Sequence, residues 1–261
     1  MEKSDVKPIY FGYIALSKSA TPVIRKSIPH LFTLGNLFLG VLSLQLVAEG
    51  KWHLGAWCLF AAAFLDFFDG LVARLLSVAG DFGKQLDSLA DVVSFGVAPG
   101  WLMFHYLNAA TEYQSNVLNL TSDMSGLAFM AFAIPLFSAL RLARFNISTN
   151  ESAHFSGLAT PAMALVIASF ALILQYEPMS FLRPMILSPL VLLFWTVFSC
   201  GLMVSTMPMW SLKLSGKLPL PIILLLAGSV VLGLIFKFSA IPIILLLYLA
   251  ISIVFKPRST T

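Results

Sequence analysis

Five aspartates stand between residues 65 and 91, in the string LDFFDGLVARLLSVAGDFGKQLDSLAD, surrounded by long apolar runs. Four of them are paired at helical spacing: Asp66 with Asp69, three apart, and Asp87 with Asp91, four apart. Either interval sets two side chains on one face of a helix. Carboxylates grouped in this way prefer hard divalent cations bound through oxygen, which points to Mg2+ or Mn2+. Gly70, Ala73 and Gly83 are interleaved with the acids, and small side chains there let a flat base or a phosphate approach the backbone. Asp81 lies outside this spacing and is read as a loop acid.

Two helices have to position these groups. At 100° per residue, Asp66, Asp69, Gly70 and Ala73 fall within an arc of roughly 100°, with Arg74 just beyond it, and Gly83, Asp87, Asp91, Ser94 and Ala98 cluster within roughly 80°. A short loop around Gly80 and Asp81 makes the two helices antiparallel neighbours. Asp69 and Asp91 then lie at similar depths, roughly 13 and 12 Å from the loop along the two axes. Four aspartates in hydrocarbon would cost on the order of 10 kcal/mol on insertion scales, and one arginine does not neutralise them. Bound divalent metal does.

The setting is a membrane. Of the 261 residues 59% are apolar and 11% charged, and the mean hydropathy is +0.90, outside the range of soluble globular chains. Apolar runs long enough to cross a bilayer are predicted at 29–47, 52–78, 82–107, 126–145, 158–176, 185–207, 218–236 and 241–255, an all-α polytopic bundle of about eight transmembrane helices. With eight spans, thirteen of the sixteen Lys and Arg fall on one side, and Lys51, Arg183 and Lys237 on the other. That asymmetry places both termini, and the loop beside the aspartates, in the cytoplasm of a multi-pass inner (cell) membrane protein. Three parts are expected: an arm over 1–28, a six-helix catalytic membrane domain over 29–207, and two additional helices with a short tail over 208–261.

No cleavable leader is expected at the N-terminus, and the arm, with Arg25 and Lys26 at the headgroups, is read either as an interfacial helix or as a tail. The net charge of +4 suits anionic lipid and gives no sign of nucleic acid. Cys58 and Cys200 sit far apart inside apolar spans and are read as packing residues. His30, His53, His105 and His154 lack metal-ligand spacing and are assigned interfacial or structural roles. The stretch 108–125, with two acids and no bases, is predicted as an outer loop.

Read as one string, Asp66-x-x-Asp69-Gly70-x-x-Ala73-Arg74, eight residues, Gly83, three residues, Asp87, three residues, Asp91 resembles the signature of the CDP-alcohol phosphatidyltransferase family, with every defining position and spacing kept. The resemblance implies a membrane enzyme, usually a homodimer, that uses divalent metal to replace the CMP of a CDP-linked lipid with an alcohol. It implies Asp66, Asp69, Asp87 and Asp91 as metal ligands and Asp91 also as general base. Gly70, Ala73, Arg74 and Gly83 would line the CDP pocket, with Thr33 and Asn36, one turn apart on the first span, facing the nucleotide.

Three further stretches, IPHLFTLGNLFLGVLSL at the first span, RLARFN over 141–146 and FSGLATPAMA over 155–164, are similar to the bacterial and archaeal serine-accepting branch, although Ala159 stands where that branch often carries proline. This implies CDP-diacylglycerol and L-serine as substrates and CMP as leaving product. Arg141, Arg144 and Asn146 become the acceptor-binding candidates, the arginines for a carboxylate or phosphate and Asn146 for either a donor or an acceptor. Glycerol 3-phosphate or an inositol phosphate remains the alternative acceptor; each brings a second phosphate and calls for more basic residues than this region supplies. A cation or proton transporter is the rival from another class, because intramembrane carboxylates often mark ion pathways. Against it, all four aligned acids sit in one hairpin, with no counterpart in the second half.

Overall fold

The computed structural model describes residues 22–78, 80–118, 125–147, 157–207, 209 and 220–254, with the backbone alone given at a few helix ends. No strand occurs among them. In chain order the helices are α1 (Pro22–Ala48), α2 (Trp52–Leu75), α3 (Asp81–Val92), α4 (Ala98–Leu118), α5 (Ala133–Ile147), α6 (Thr160–Tyr176), the short α7 (Arg183–Ile186), α8 (Pro189–Val204), α9 (Leu220–Phe236) and α10 (Ala240–Val254). A π-helical turn, Val93–Val97, joins α3 to α4, and a 3-10 turn, Ser125–Phe132, leads into α5.

Both ends of the α1–α2–α3 unit are fixed by backbone chemistry. After α1, Gly50 takes a left-handed φ of 76°, its N–H bonds Val47 O at 3.0 Å, and Lys51 N–H bonds Leu46 O at 2.9 Å. This is a Schellman cap, and glycine adopts that conformation without a Cβ penalty. The same pattern ends α2, where Ser77 N–H reaches Arg74 O and Val78 N–H reaches Ala73 O, both at 3.1 Å, with Ser77 at φ 51°. Helix α2 therefore stops at Leu75, three residues short of the predicted span.

Helix α1 lies along α2 and also packs on α3 and the π turn, so three helices enclose the acidic face. The approach at the π turn is close: a Cβ on Gly40 would come 2.8 Å from Ser94 Cα. Behind this trio, α6 packs on α2 and α8 on α5, around a core that includes Leu59, Leu102, Met103, Tyr106, Ile167 and Leu172.

Two further boundaries differ from the sequence prediction. Helix α4 runs to Leu118, so 108–118 is helix and not loop; its side chains favour a helix as readily as a coil once outside an apolar window, and Thr111 Oγ1 bonds back to the Leu107 carbonyl. The span predicted at 185–207 is broken at Ser188, whose extended backbone (ψ 116°) precedes Pro189 at the start of α8. Proline disfavours the helical conformation in the residue before it. The predicted arm falls mostly on 1–21, outside the described residues.

Four stretches among the described residues are long and apolar enough to cross a membrane: Ser27–Ala48, Trp52–Leu75, Gly126–Ile147 and Leu225–Val254. Thr160–Tyr176 and Pro189–Val204 are shorter apolar helices. The turn Lys237–Ser239 divides the fourth stretch into α9 and α10, which pack on each other, while α10 also meets α6. Glu177, at the end of α6, anchors that turn. Its carboxylate accepts Phe238 N–H at 2.6 Å, Ser239 N–H at 3.4 Å and the Ser239 hydroxyl. Glu177→Ala leaves these donors without their acceptor, a cost of about 1–3 kcal/mol, so the thermal midpoint in detergent falls.

Candidate active site

Helix α2 supplies Asp66 and Asp69, and α3 supplies Asp87 and Asp91. One carboxylate oxygen from each of Asp66, Asp69 and Asp87 lies within 4.8 Å of the other two. Asp91, one turn on from Asp87, stands beside this group, close enough to Asp66 and Asp87 for the carboxyl groups to interact. The shared face predicted from helical spacing thus appears as three converging acids with Asp91 next to them.

Asp69 and Asp91 are buried, and Asp66 and Asp87 are half-buried. Among the described residues the one ion pair within 4.0 Å is Lys51–Glu49, well away from this cluster in sequence. Asp87 Oδ1 is buried and has no hydrogen-bond partner. Four mutually repelling carboxylates, oxygen-only donors and an orphaned buried oxygen form a set that fits a small hard cation.

Helix α1 orients the acids from the side. The Thr33 hydroxyl donates to Asp69 Oδ2 at 2.8 Å, with Pro29 O at 3.2 Å as its other acceptor. Asn36 Nδ2 donates to Asp91 Oδ1 at 3.3 Å. Ser94 Oγ then donates to Asn36 O at 3.0 Å, tying the residue that holds Asp91 to the π turn directly after it. Thr33 and Asn36, expected to face the nucleotide, are buried and direct these donors at carboxylates. The reason is energetic: hydrogen bonds to charged groups contribute about 1.5–3 kcal/mol each, more than neutral ones. Asn36 Oδ1 is left buried and unpartnered.

The small residues behave differently from one another. Gly70 faces open space, with nothing within 4 Å of the position a Cβ would occupy, and Arg74 Nε donates to Gly70 O at 2.9 Å. Ala73 is half-buried on the same helix, and Arg74 is exposed. Gly83 does not face open space, because a Cβ there would lie 3.1 Å from Cε1 of His30.

The three acceptor candidates also separate. Arg141 has a buried Nε without a partner and lies close enough to Asp91 for their charges to interact. Arg144 is exposed and turns Nη1 toward Val204 O, at 3.4 Å. Asn146 donates through Nδ2 to Ser88 Oγ at 2.8 Å, while Ser88 donates to Lys84 O at 3.1 Å and Lys84 Nζ reaches Asn146 O at 3.0 Å. Because the Ser88 hydroxyl proton is committed to Lys84, its oxygen accepts, which fixes the Asn146 amide and leaves Oδ1 buried and unpartnered. The sequence reading missed His30 and Ser88 as neighbours of the site, though it set Ser94 on the face of Asp87 and Asp91; the Ser88 position, four after Lys84 and three before Asp91, was the available signal.

Comparison with known proteins agrees with this geometry. A CDP-diacylglycerol–serine O-phosphatidyltransferase of Helicobacter pylori is 38% identical over 141 residues, 53% of this chain and 54% of that protein. A Bacillus subtilis protein of the same name is 35% identical over 145 residues, 55% of this chain and 75% of that protein. An archaetidylserine synthase of Methanothermobacter thermautotrophicus is 35% identical over 158 residues, 59% of this chain and 61% of that protein. The chain thus spans about half the length of the Helicobacter relative. Residues 26–207, which include all four aspartates and the helices that orient them, match the CDP-alcohol phosphatidyltransferase profile, and the chain belongs to that family.

Proposed function

We propose that the chain transfers the phosphatidyl group of CDP-diacylglycerol to L-serine, giving phosphatidylserine and CMP. The observation that carries this reading is the convergence of Asp66, Asp69 and Asp87, with Asp91 in reach, on a chain of this family. The names of the relatives support serine as the acceptor. In our reading eight helices span the inner membrane, both termini and the site face the cytoplasm, and the enzyme works as a homodimer. The bias of basic residues supports the orientation.

Asp66, Asp69, Asp87 and Asp91 would hold Mg2+ or Mn2+, which would supply the charge that neutralises the diphosphate and the departing CMP. Thr33 and Asn36 fix the Asp69 and Asp91 carboxylates so that neither has to reorganise during the reaction. Arg74, whose remaining guanidinium N–H groups are free of its own helix, binds a CDP phosphate, and the open face at Gly70 and Ala73 admits the nucleotide. The serine hydroxyl oxygen bonds to the phosphatidyl phosphorus, the bond from that phosphorus to the CMP oxygen breaks, and the hydroxyl proton passes to Asp91. Arg141 meets the serine carboxylate and the fixed Asn146 carbonyl accepts from its ammonium, while Arg144 stays on the α8 carbonyl.

The test is purified protein with CDP-diacylglycerol and Mg2+, offered serine, glycerol 3-phosphate or inositol phosphate in turn, with CMP release as readout. Serine alone should release CMP; release with glycerol 3-phosphate and none with serine would replace the acceptor. Arg141→Ala should raise the KM for serine at least tenfold and Arg144→Ala less than about threefold, as expected for losing a charge-assisted bond in one case and an exposed contact in the other.

A further inference from the structure

Gly83 belongs to the family signature, yet the space its missing side chain leaves is filled from within the protein. His30 on α1 points its ring at α3 so that Cε1 lies 3.1 Å, and Nδ1 3.7 Å, from where a Gly83 Cβ would sit. The ring is held edge-on against Phe82, with centroids 5.3 Å apart and planes at 80°. A Cβ at position 83 would meet this imidazole more tightly than ordinary van der Waals contact, so the ring would have to give way by a few tenths of an ångström. Thr33, one turn along α1, already grips Asp69.

The imidazole is therefore placed by packing, beside the acidic cluster, without being used by the fold. Neither ring nitrogen has a hydrogen-bond partner among the described residues, and the residue is half-exposed. Its neighbour Phe82 is 71% exposed, which leaves the ring accessible from that end. An aromatic ring with a spare N–H, fixed next to carboxylates that would hold a diphosphate's divalent metal, is suited to a nucleotide's phosphate oxygens or base edge.

We propose that His30 contacts the CDP portion of the lipid substrate, and that Gly83 acts in this chain by seating His30, not by touching the nucleotide itself. The proposal rests on the reading of the aspartate cluster as the CDP site. It concerns the nucleotide side, and the acceptor alcohol does not enter.

The experiment is a double-substitution cycle read by CMP binding, measured by titration calorimetry on full-length protein in detergent with Mg2+, so that no turnover is needed. His30→Ala should weaken CMP binding about tenfold, as expected for losing a hydrogen bond to a charged group. His30→Gln, which keeps an N–H donor, should recover most of it. Gly83→Ala should weaken binding comparably in the wild type and by less than twofold once His30 is alanine. The KM for serine should stay unchanged in His30→Gln. Equal CMP affinity in wild type and His30→Ala overturns the proposal, as does a Gly83→Ala penalty that persists in full without His30. Wild-type protein that fails to bind CMP would instead remove the site reading beneath it.

Discussion

Asp91→Asn keeps the fold and loses about 10²–10⁴-fold in turnover, the range expected for removing a positioned general base. The substitution is nearly isosteric. The Asn36 Nδ2 bond, 3.3 Å to Oδ1 in the wild type, survives with the new carbonyl oxygen as acceptor, so the loss reports chemistry more than collapse. A second result separates the two explanations. A buried carboxyl crowded by three others is costly to keep, whether charged or holding a proton, so without added metal the variant should melt higher than wild type in detergent. A gain of about 1 kcal/mol corresponds to roughly 2–4 °C for a chain of this size. Lost activity with a raised midpoint identifies Asp91 as a group whose charge is kept for function at the expense of stability. Turnover within threefold of wild type would remove it as the base.

The convergence that makes this prediction possible was legible before any coordinates, because it depends on two regular quantities. Helical period fixes which of Asp66, Asp69, Asp87 and Asp91 share a face, and a short loop fixes the depth at which two antiparallel helices meet. What could not be read was everything that depends on a third element or on irregular backbone. Thr33 and Asn36 were recognised as polar residues one turn apart, but whether they faced ligand or carboxylate depended on how α1 rolls against α2 and α3. The π turn at Val93–Val97 has no reliable residue code, although it rephases the helix directly after Asp91 and brings Ser94 to the Asn36 carbonyl. Gly83 carried the same label as Gly70 in the sequence. Their difference, open space at one and the His30 ring at the other, is a property of neighbours distant in the chain. Hydropathy likewise located most of the apolar helices but not the run of α4 to Leu118, since polar residues past an apolar run continue a helix without an apolar signal.

Stripping divalent metal with a chelator should abolish CMP release, with full recovery on adding Mg2+ or Mn2+, and Asp87→Ala should behave like chelated wild type even in excess metal. Asp87 is the sharpest place to test this because its Oδ1 is buried with no protein partner, so the fold gives that oxygen nothing in exchange for desolvation. Binding to the folded state alone stabilises by RT ln(1 + [L]/Kd), about 2.7 kcal/mol at a hundredfold excess over Kd. Added Mg2+ should therefore raise the thermal midpoint of the wild type by several degrees and leave that of Asp87→Ala nearly unchanged. The apo protein gives the opposing sign: with metal removed, Asp87→Ala should be no less stable than wild type, because it deletes one of several crowded carboxyl groups, none of which has a cationic side chain within 4.0 Å among the described residues. If metal instead stabilises both proteins equally, the cation sits elsewhere, and the four carboxylates have to be held together by shared protons alone, an arrangement that could not clamp a diphosphate.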